Sequence, residues 1–183
     1  MNSFNFGNRT FIYCCYEYNH TRLNERAVEV PIALDFVMGF NRNQIIEVGN
    51  VLQHYDFTGH TVIDKYETGN NVMNCDVLEY VPKRRYDCLV SVSTIEHFGN
   101  WNVIEQSIAH MMTWLSDSGV YLFTMPYGFN RDLDKHIASL DPMRLDKVDF
   151  TQHLWQEIRD DRVPLAYNGE TKWANTVWIV KGF

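Results

Sequence analysis

The sequence lacks the features that mark several common protein classes. It has four cysteines in 183 residues, and none forms a C-x-x-C pair, which argues against a structural zinc site and against a disulfide framework. No apolar run approaches the roughly 20 residues that span a bilayer. The first residues also lack the basic and apolar stretches of a secretory signal. We therefore expect a cytoplasmic protein with free thiols and no membrane span.

Positive charge is also scarce. Lys and Arg total 16 against 23 Asp and Glu, which gives a formal net charge of −7. An acidic chain is repelled by nucleic-acid phosphates and by anionic membranes, so we expect no nucleic-acid partner. The seven histidines show no i, i+4 pairing or other metal-ligand spacing, and we expect no metal.

Apolar and aromatic residues are plentiful, at 45% and 14%, and this excludes intrinsic disorder. The length suits a single domain over residues 1–183, with residues 1–40 forming an N-terminal extension of one strand and one helix. The β-branched and aromatic residues 10–18 predict the strand. Residues 24–38 predict the helix, with Asn24 as its N-cap and a kink at Pro31.

Short apolar runs alternate with amphipathic segments along the rest of the chain. Strands are predicted at residues 44–48, 61–64, 72–75, 86–93, 120–125 and 176–180, and helices at 101–115 and 131–139. Strands that alternate with helices predict a mostly parallel sheet with helices on both faces, which is a three-layer α/β sandwich.

Such a sheet binds ligands beyond the carboxyl ends of its strands, so the residues at those ends are the candidate site. Gly49 follows one predicted strand, and a glycine there lets a ligand approach the backbone. Asp64 ends the next strand, where a carboxylate can accept hydrogen bonds from ribose hydroxyls. Asp76 follows the third strand and can accept from an adenine amino group. Together these positions predict an adenosyl ligand.

The chain from about residue 44 to 126 resembles class I S-adenosylmethionine-dependent methyltransferases. Residues 45–49 (IIEVG) resemble the first motif of that family, 62–64 (VID) the second, and 74–77 (NCDV) the stretch that reads adenine. Residues 86–98 (YDCLVSVSTIEHF) are similar to its fourth strand with the Glu-His pair that follows. Residues 116–122 (SDSGVYL) resemble its turn into the fifth strand.

The resemblance implies a Rossmann-like three-layer sandwich with an antiparallel C-terminal strand, S-adenosylmethionine as cofactor and S-adenosylhomocysteine as product. It implies cofactor-binding roles for Glu47, Gly49, Asn50, Asp64, Lys65, Asp76, Val77 and Ser93. His97 is the candidate base, because imidazole titrates near neutrality. Tyr127 and His136 are candidate acceptor-pocket residues. Each position also has a purely structural interpretation: Asp64 capping a turn, or His97 packing on the next helix.

The sequence departs from the family after Gly49. The chain continues Asn50-Val-Leu-Gln53 instead of supplying further glycines, and only about two turns of helix fit before Asp64, with Gly59 ending them. The alternative is therefore a non-catalytic relative, a binding or partner subunit that has lost the cofactor. A nicotinamide-dependent oxidoreductase is a third hypothesis, but the G-x-G-x-x-G motif is missing.

The acceptor is the least readable part of the sequence. The Asn-Pro-Pro-Tyr type of signature found in nucleic-acid amino-methyltransferases is absent where residues 93–96 read STIE. A chain with no recognition domain and a negative charge favours a small-molecule, sugar or glycan acceptor. The methylated atom stays open. The strand at residues 10–18 pairs either within the sheet or across a homodimer, and the sequence does not choose between them.

Overall fold

An eight-stranded sheet forms the centre of the computed structural model, which describes residues 3–140, 142–149, 152–159 and 173–182. A two-stranded hairpin, β1 (Ser3–Phe6) and β2 (Arg9–Ile12), forms a second sheet. The strands of the sheet are β3 (Ile45–Val48), β4 (Thr61–Asp64), β5 (Val72–Asn74), β6 (Tyr86–Val92), β7 (Leu115–Pro126), β8 (Met143–Asp149), β9 (Leu154–Ile158) and β10 (Thr176–Gly182). Their order is β5-β4-β3-β6-β7-β10-β8-β9.

The five strands from β5 to β7 are parallel, and β10 is antiparallel to both of its neighbours. The predicted mostly parallel sheet with an antiparallel C-terminal strand is therefore confirmed. The chain leaves β3 for β4 on one side and later returns to β6 on the other. Strand order thus reverses between β3 and β6, and a crevice opens at their carboxyl ends.

Helices cover the two faces of the sheet and complete the predicted three layers. The helix α1 (Arg26–Val37) packs on one face with the β1–β2 hairpin, over a core that includes Cys88 and Val90 of β6. The helices α2 (Trp101–Met112) and α3 (Arg131–Ala138) cover the other face. All four residues of β3 are buried, as a central strand covered on both faces requires.

The N-terminal segment differs from the predicted strand at residues 10–18. Strand β2 ends at Ile12 and pairs with β1 across a turn in which Gly7 has φ +58°, so it does not join the main sheet. Residues Tyr18–Leu23 form 3-10 turns in which Asn19 and His20 adopt positive φ. Of the aromatic residues that suggested a long strand, Phe11 and Tyr13 pack the hairpin onto the α1 face, whereas Tyr16 and Tyr18 contact Tyr55.

Pro31 lies inside α1, which runs without interruption from Arg26 to Val37. A proline has no N–H to donate to the carbonyl four residues earlier, which here is Ala27. The backbone N–H of Cys14 donates to that carbonyl instead, at 2.9 Å. The proline expected to kink the helix therefore creates the attachment point of the N-terminal segment. The expected N-cap Asn24 lies one residue earlier than the cap, and its side chain accepts from the Arg26 N–H at 3.0 Å.

The connections on the β4–β5 side are shorter than predicted. The two-turn helix expected after β3 is a 3-10 turn, Leu52–Tyr55, which ends at Asp56 with φ +65° before Gly59 is reached. The turn expected within residues 116–122 lies inside β7, and the β8–β9 pair was not predicted. No helix in the described ranges is both long and apolar enough to cross a membrane.

Candidate functional site

A cavity of about 680 Å³ opens at the carboxyl ends of β3, β4 and β6. This volume is within the range of small-ligand sites in proteins. Most of the residues predicted to bind a cofactor line it, together with the candidate base. Its walls comprise Tyr18, Asn19, Arg26, Val48, Gly49, Asn50, Val51, Ile63, Asp64, Lys65, Tyr66, Glu67, Asp76, Val77, Leu78, Ser93, Thr94, His97, Phe98, Val103 and Ser107.

Gly49 begins the loop after β3 in a conformation that favours glycine, with φ +86°. Its N–H donates to the Ile63 carbonyl at 2.8 Å, which fixes the loop against β4. A Cβ at this position would overlap the side chain of Thr94. The glycine therefore permits the loop after β3 to approach the loop after β6.

Glu47, which was predicted to bind the cofactor, lies beneath this loop and is not among the residues that line the cavity. Its Oε1 accepts from the N–H groups of Val51 and Leu52 at 3.0 and 2.8 Å. Its Oε2 is 2.7 Å from Nε2 of His60, and both side chains are fully buried. Because every oxygen bonds to the loop or to His60, Glu47 holds the shortened loop in place.

Asp64 faces the cavity at the end of β4, where three backbone N–H groups already donate to it. Those of Tyr66 and Glu67 donate to Oδ1 at 2.8 and 2.7 Å, and that of Asn50 donates to Oδ2 at 3.0 Å. An ionised carboxylate has about four acceptor sites, so about one is left for a ligand. The Nδ2 of Asn50 donates to Glu67 at 2.7 Å, whereas its buried Oδ1 has no hydrogen-bond partner among the described residues.

Lys65 and Asp76 form an ion pair at the wall next to β5, with Nζ and Oδ2 2.8 Å apart. The N–H of Leu78 donates to the other oxygen of Asp76 at 2.9 Å. The hydrogen bond from Lys65, followed by that N–H, lowers the pKa of Asp76 below its ordinary value. The buried side chain of Val77 adds an apolar surface beside this charged pair.

Ser93 follows β6 with φ +42°, which is rare for a residue other than glycine. Its hydroxyl donates to the carboxylate of Glu29 on α1, whose oxygens lie at 2.8 and 2.7 Å. Glu29 is fully buried, and burial raises its pKa despite the opposing effect of nearby Arg26. The cavity wall is thus joined to a buried acid on the N-terminal helix.

Two further acids, Glu25 and Glu96, are buried near Glu29 and Arg26. Burial, followed by the charge of Glu29, raises the pKa of Glu25 to about 7. Burial also raises the pKa of Glu96 well above its ordinary value, with added repulsion from Glu29 and Glu25. Sequence reasoning missed this cluster, although two acids four residues apart within an otherwise apolar helix were a visible signal.

His97 lies at the cavity wall with 63% of its side chain exposed, and its Nε2 is 3.6 Å from Oε1 of Glu96. Partial burial and then the charge of Arg26 lower its pKa. The imidazole is therefore mostly neutral at pH 7, which is the form that accepts a proton. Its position is compatible with the predicted role as a base.

Tyr127 and His136, like Glu47, are not among the residues that line the cavity. Tyr127 packs edge-on against Trp178, with ring centroids 5.9 Å apart. His136 stacks on Trp101 at 3.9 Å and joins α3 to α2. Both residues lie away from the cavity because the end of β7 adjoins β10, one strand away from the crevice. The cavity wall also includes Tyr18, Asn19 and Phe98, which sequence reasoning did not select.

Comparison with known proteins identifies the fold. No protein-family model and no curated protein matches this sequence. Among solved structures, the N-methyltransferase NodS from Bradyrhizobium japonicum, in complex with S-adenosylhomocysteine, is similar with a TM-score of 0.52 and 11% identity. The match covers 86% of this chain and 85% of that one.

Two further solved structures match in part. An S-adenosylmethionine-dependent methyltransferase from Clostridium acetobutylicum has a TM-score of 0.44 and 11% identity over 55% of this chain and 52% of its own. The sugar N-methyltransferase KedS8 from Streptoalloteichus has a TM-score of 0.40 and 11% identity over 55% and 47%. The chain therefore covers about half the length of these two structures.

The strand order of this chain and its match to NodS over most of both chains indicate the same fold. The five parallel strands, with an antiparallel strand inserted next to the fifth, give the class I S-adenosylmethionine-dependent methyltransferase fold. This chain has that fold. Its cavity lies at the crevice where such sheets bind ligands.

Proposed function

We propose that this protein transfers the methyl group of S-adenosylmethionine to a small-molecule, sugar or glycan-type acceptor. One observation carries the proposal: a single cavity at the strand-order reversal brings together Gly49, Asn50, Asp64, Asp76 and His97, which are separated in sequence. The net charge of −7 supports an acceptor other than nucleic acid. A cytoplasmic location and a homodimer stay predictions.

The residues present fit the cofactor. One cavity wall carries two unsatisfied acceptors, the Oδ1 of Asn50 and the remaining acceptor site of Asp64. The adenosyl and methionine parts of the cofactor carry hydrogen-bond donors that match them. We assign the methionine part to Gly49 and Asn50, the ribose to Asp64, and the adenine to the wall formed by Asp76 and Val77. Bound there, the cofactor supplies a methyl group that its sulfonium has already activated.

The protein itself must exclude water, align the acceptor and remove a proton. The apolar walls at Val48, Ile63 and Phe98 exclude water from one side of the cavity. We assign proton removal to His97, which is mostly neutral and faces the same cavity. Glu96 lies 3.6 Å from the imidazole on its other side.

A non-catalytic binding role is the second candidate. Thr94 occupies the space next to Gly49 into which a ligand would otherwise approach, and three backbone groups already satisfy most of Asp64. The bond from Asn50 to Glu67 also spans part of the cavity wall. These contacts are those expected of a relative that keeps the fold without the cofactor.

Calorimetric titration with S-adenosylmethionine and S-adenosylhomocysteine separates the two functions. The methyltransferase proposal predicts stoichiometric binding at micromolar concentration, weakened at least tenfold in Asp64→Ala. Asp64→Asn keeps one oxygen for the loop amides, and it tests binding with less risk to folding. The exposed Asp117→Ala is the matched control and should bind as the parent does. Absence of binding by the parent at millimolar ligand would establish the non-catalytic role.

A further inference from the structure

His97, the candidate base, lies on a short turn between β6 and α2 that its own backbone closes only in part. The N–H of His97 donates to the Thr94 carbonyl at 3.0 Å and closes the turn Ile95–His97. Among the described residues, no backbone N–H donates to the carbonyl of Glu96 or to that of Gly99, which precede and follow the base. These two carbonyls are therefore open to a donor from another part of the chain.

Asn130, in the loop after β7, donates to both of these carbonyls. Its Nδ2 lies 3.0 Å from the Glu96 oxygen and 2.7 Å from the Gly99 oxygen. Its Oδ1 accepts from the N–H groups of Asp132 and Leu133, both at 3.1 Å, and so caps α3. A side-chain amide has two N–H hydrogens and two acceptor lone pairs, and this one uses all four. One side chain thus ties the turn before α2 to the start of α3.

Phe129 adds a contact from the same loop to the imidazole itself. Its ring lies edge-on to that of His97, with the ring centroids 6.4 Å apart. The N–H of Gly128 donates to Oδ2 of Asp134 at 3.0 Å, so the loop is also anchored to α3. The loop after β7 therefore contacts the candidate base, although its residue Tyr127 is not among those that line the cavity.

Resting on the proposed methyl transfer and on His97 as its base, we propose that Asn130 is a positioning residue for the reaction. A base removes a proton from a donor about 2.6–3.2 Å away, so a turn that shifts by about 1 Å takes the imidazole out of reach. The amide of Asn130 holds the carbonyls before and after His97 and so limits this movement. Asn130 is not among the residues that line the cavity, so it acts through the turn.

The substitution Asn130→Ser separates this role from helix capping. Serine is about as good an N-cap as asparagine, but its single hydroxyl hydrogen cannot serve two carbonyls. Asn100→Ser is the matched control. Asn100 caps α2 by accepting from the Val103 N–H at 3.2 Å, and none of its bonds to described residues reaches the turn of His97. The control thus makes the same change three residues from the base.

Nuclear magnetic resonance of the His97 imidazole gives a readout that needs no acceptor. The parent should show a nuclear Overhauser contact between the rings of His97 and Phe129. We expect Asn130→Ser to lose this contact. The pKa of His97 should also rise toward its ordinary value in that variant, because the partial burial that lowers it depends on the held turn. Asn100→Ser should keep both the contact and the pKa.

The charged groups that act on His97 are Arg26 and Glu96, and both serine variants leave them in place. A change in the pKa of His97 therefore reports movement of the imidazole. If Asn130→Ser matches the parent in both readouts, or if Asn100→Ser changes them equally, Asn130 is a helix cap only and the inference is overturned.

Asn130→Asp gives a second variant in case the serine variant does not fold, which melting curves establish. Aspartate keeps the capping oxygen and loses both donors. Because it also adds a charge, only the contact between the rings of His97 and Phe129 is compared, and Asn100→Asp is the control that adds the same charge. Loss of the contact in Asn130→Asp alone supports the inference, and a retained contact overturns it.

Calorimetry distinguishes failure of this inference from failure of the proposed function. Asn130→Ser should bind S-adenosylhomocysteine within about twofold of the parent affinity, because Asn130 is not among the cavity-lining residues. A loss of tenfold or more would show that Asn130 acts on the cofactor wall instead, which overturns this inference alone. If the parent protein binds neither cofactor form at millimolar concentration, the proposed methyl transfer fails, and the positioning role fails with it.

Discussion

Gly49 is the residue at which the two loops of the candidate site touch. Its φ of +86° disfavours any other residue, and a Cβ there would overlap Thr94. We expect Gly49→Ala to lower the free energy of unfolding by about 3 kcal/mol, because strain and overlap add. Urea denaturation measures this loss.

The double variant Gly49→Ala/Thr94→Ala separates the two causes. Removing the Thr94 hydroxyl and methyl leaves only the backbone strain and a residual contact with the Thr94 Cβ. About half of the lost stability should return. Full additivity of the two substitutions would show that the side chains do not meet.

Glu47 is the second residue on which the loop depends. A carboxylate accepts from two loop amides and from His60, but a glutamine has one oxygen and turns an N–H₂ group toward one of these donors. Glu47→Gln should therefore cost about 3 kcal/mol in denaturation measurements. Glu67→Gln, at an exposed residue after β4 that contacts the same loop through Asn50, should cost less than about 1 kcal/mol. Similar losses for both would contradict the assignment.

The sequence predicted which residues reach the cavity where this depended only on the ends of the strands. Gly49, Asp64, Asp76 and Ser93 reach the cavity because parallel strands place their carboxyl ends along one edge. The orientation of Glu47 was not predictable, because it depends on a loop whose amides turn inward and on a histidine 13 residues away. The sequence pattern also shows nothing of which strand lies beside β7.

At the scale of elements, α1 and the N-terminal segment form one unit through Pro31. The N–H of Cys14 replaces the donor that proline lacks, at the Ala27 carbonyl. In Pro31→Ala the new N–H competes for this carbonyl, which weakens the Cys14 bond by about 1 kcal/mol. Hydrogen exchange of the Cys14 amide should accelerate about fivefold, as measured by NMR. Unchanged exchange would mean that the helix proline has no part in docking the segment.

Apolar elements were predicted well, and β8 was missed for a physical reason. Its buried positions include a bidentate ion pair, in which Arg144 donates to Asp146 at 2.9 and 2.7 Å, and Thr176 of β10 donates to the same carboxylate. Buried charged residues that form hydrogen bonds with one another replace the apolar residues that would otherwise alternate along a strand, so the sequence lacks the period-two pattern that predicts one. A strand stabilised in this way resembles a solvated loop in sequence.

At the scale of the whole molecule, the buried acids couple folding to pH. Burial raises the pKa of Glu25 from 4.5 to about 7, and Glu29, Glu96 and Arg26 surround it along with Lys147. Between pH 4.5 and pH 7, the Glu25 carboxyl has lost its proton in the unfolded chain but still holds it in the folded chain. The free energy of unfolding therefore falls as the pH rises through about 7.

Calorimetric melting at pH 5 and pH 8 measures this dependence. The melting temperature should be lower at pH 8 by roughly 5 °C, and Glu25→Gln should reduce the difference because that group no longer titrates. The exposed Glu105→Gln should leave the difference unchanged. A melting temperature that rises with pH would show that the carboxyl is stabilised in its charged form.

The place of β10 has a consequence for the order in which the protein is made. It is the last strand in sequence, yet it lies between β7 and β8. While the ribosome is still adding the residues before Thr176, β8 and β9 can pair only with each other among the described strands, and the outer edge of β7 carries unpaired amides. The parallel half of the sheet is complete early, but the nascent chain stays open to misassociation until its final strand enters the gap.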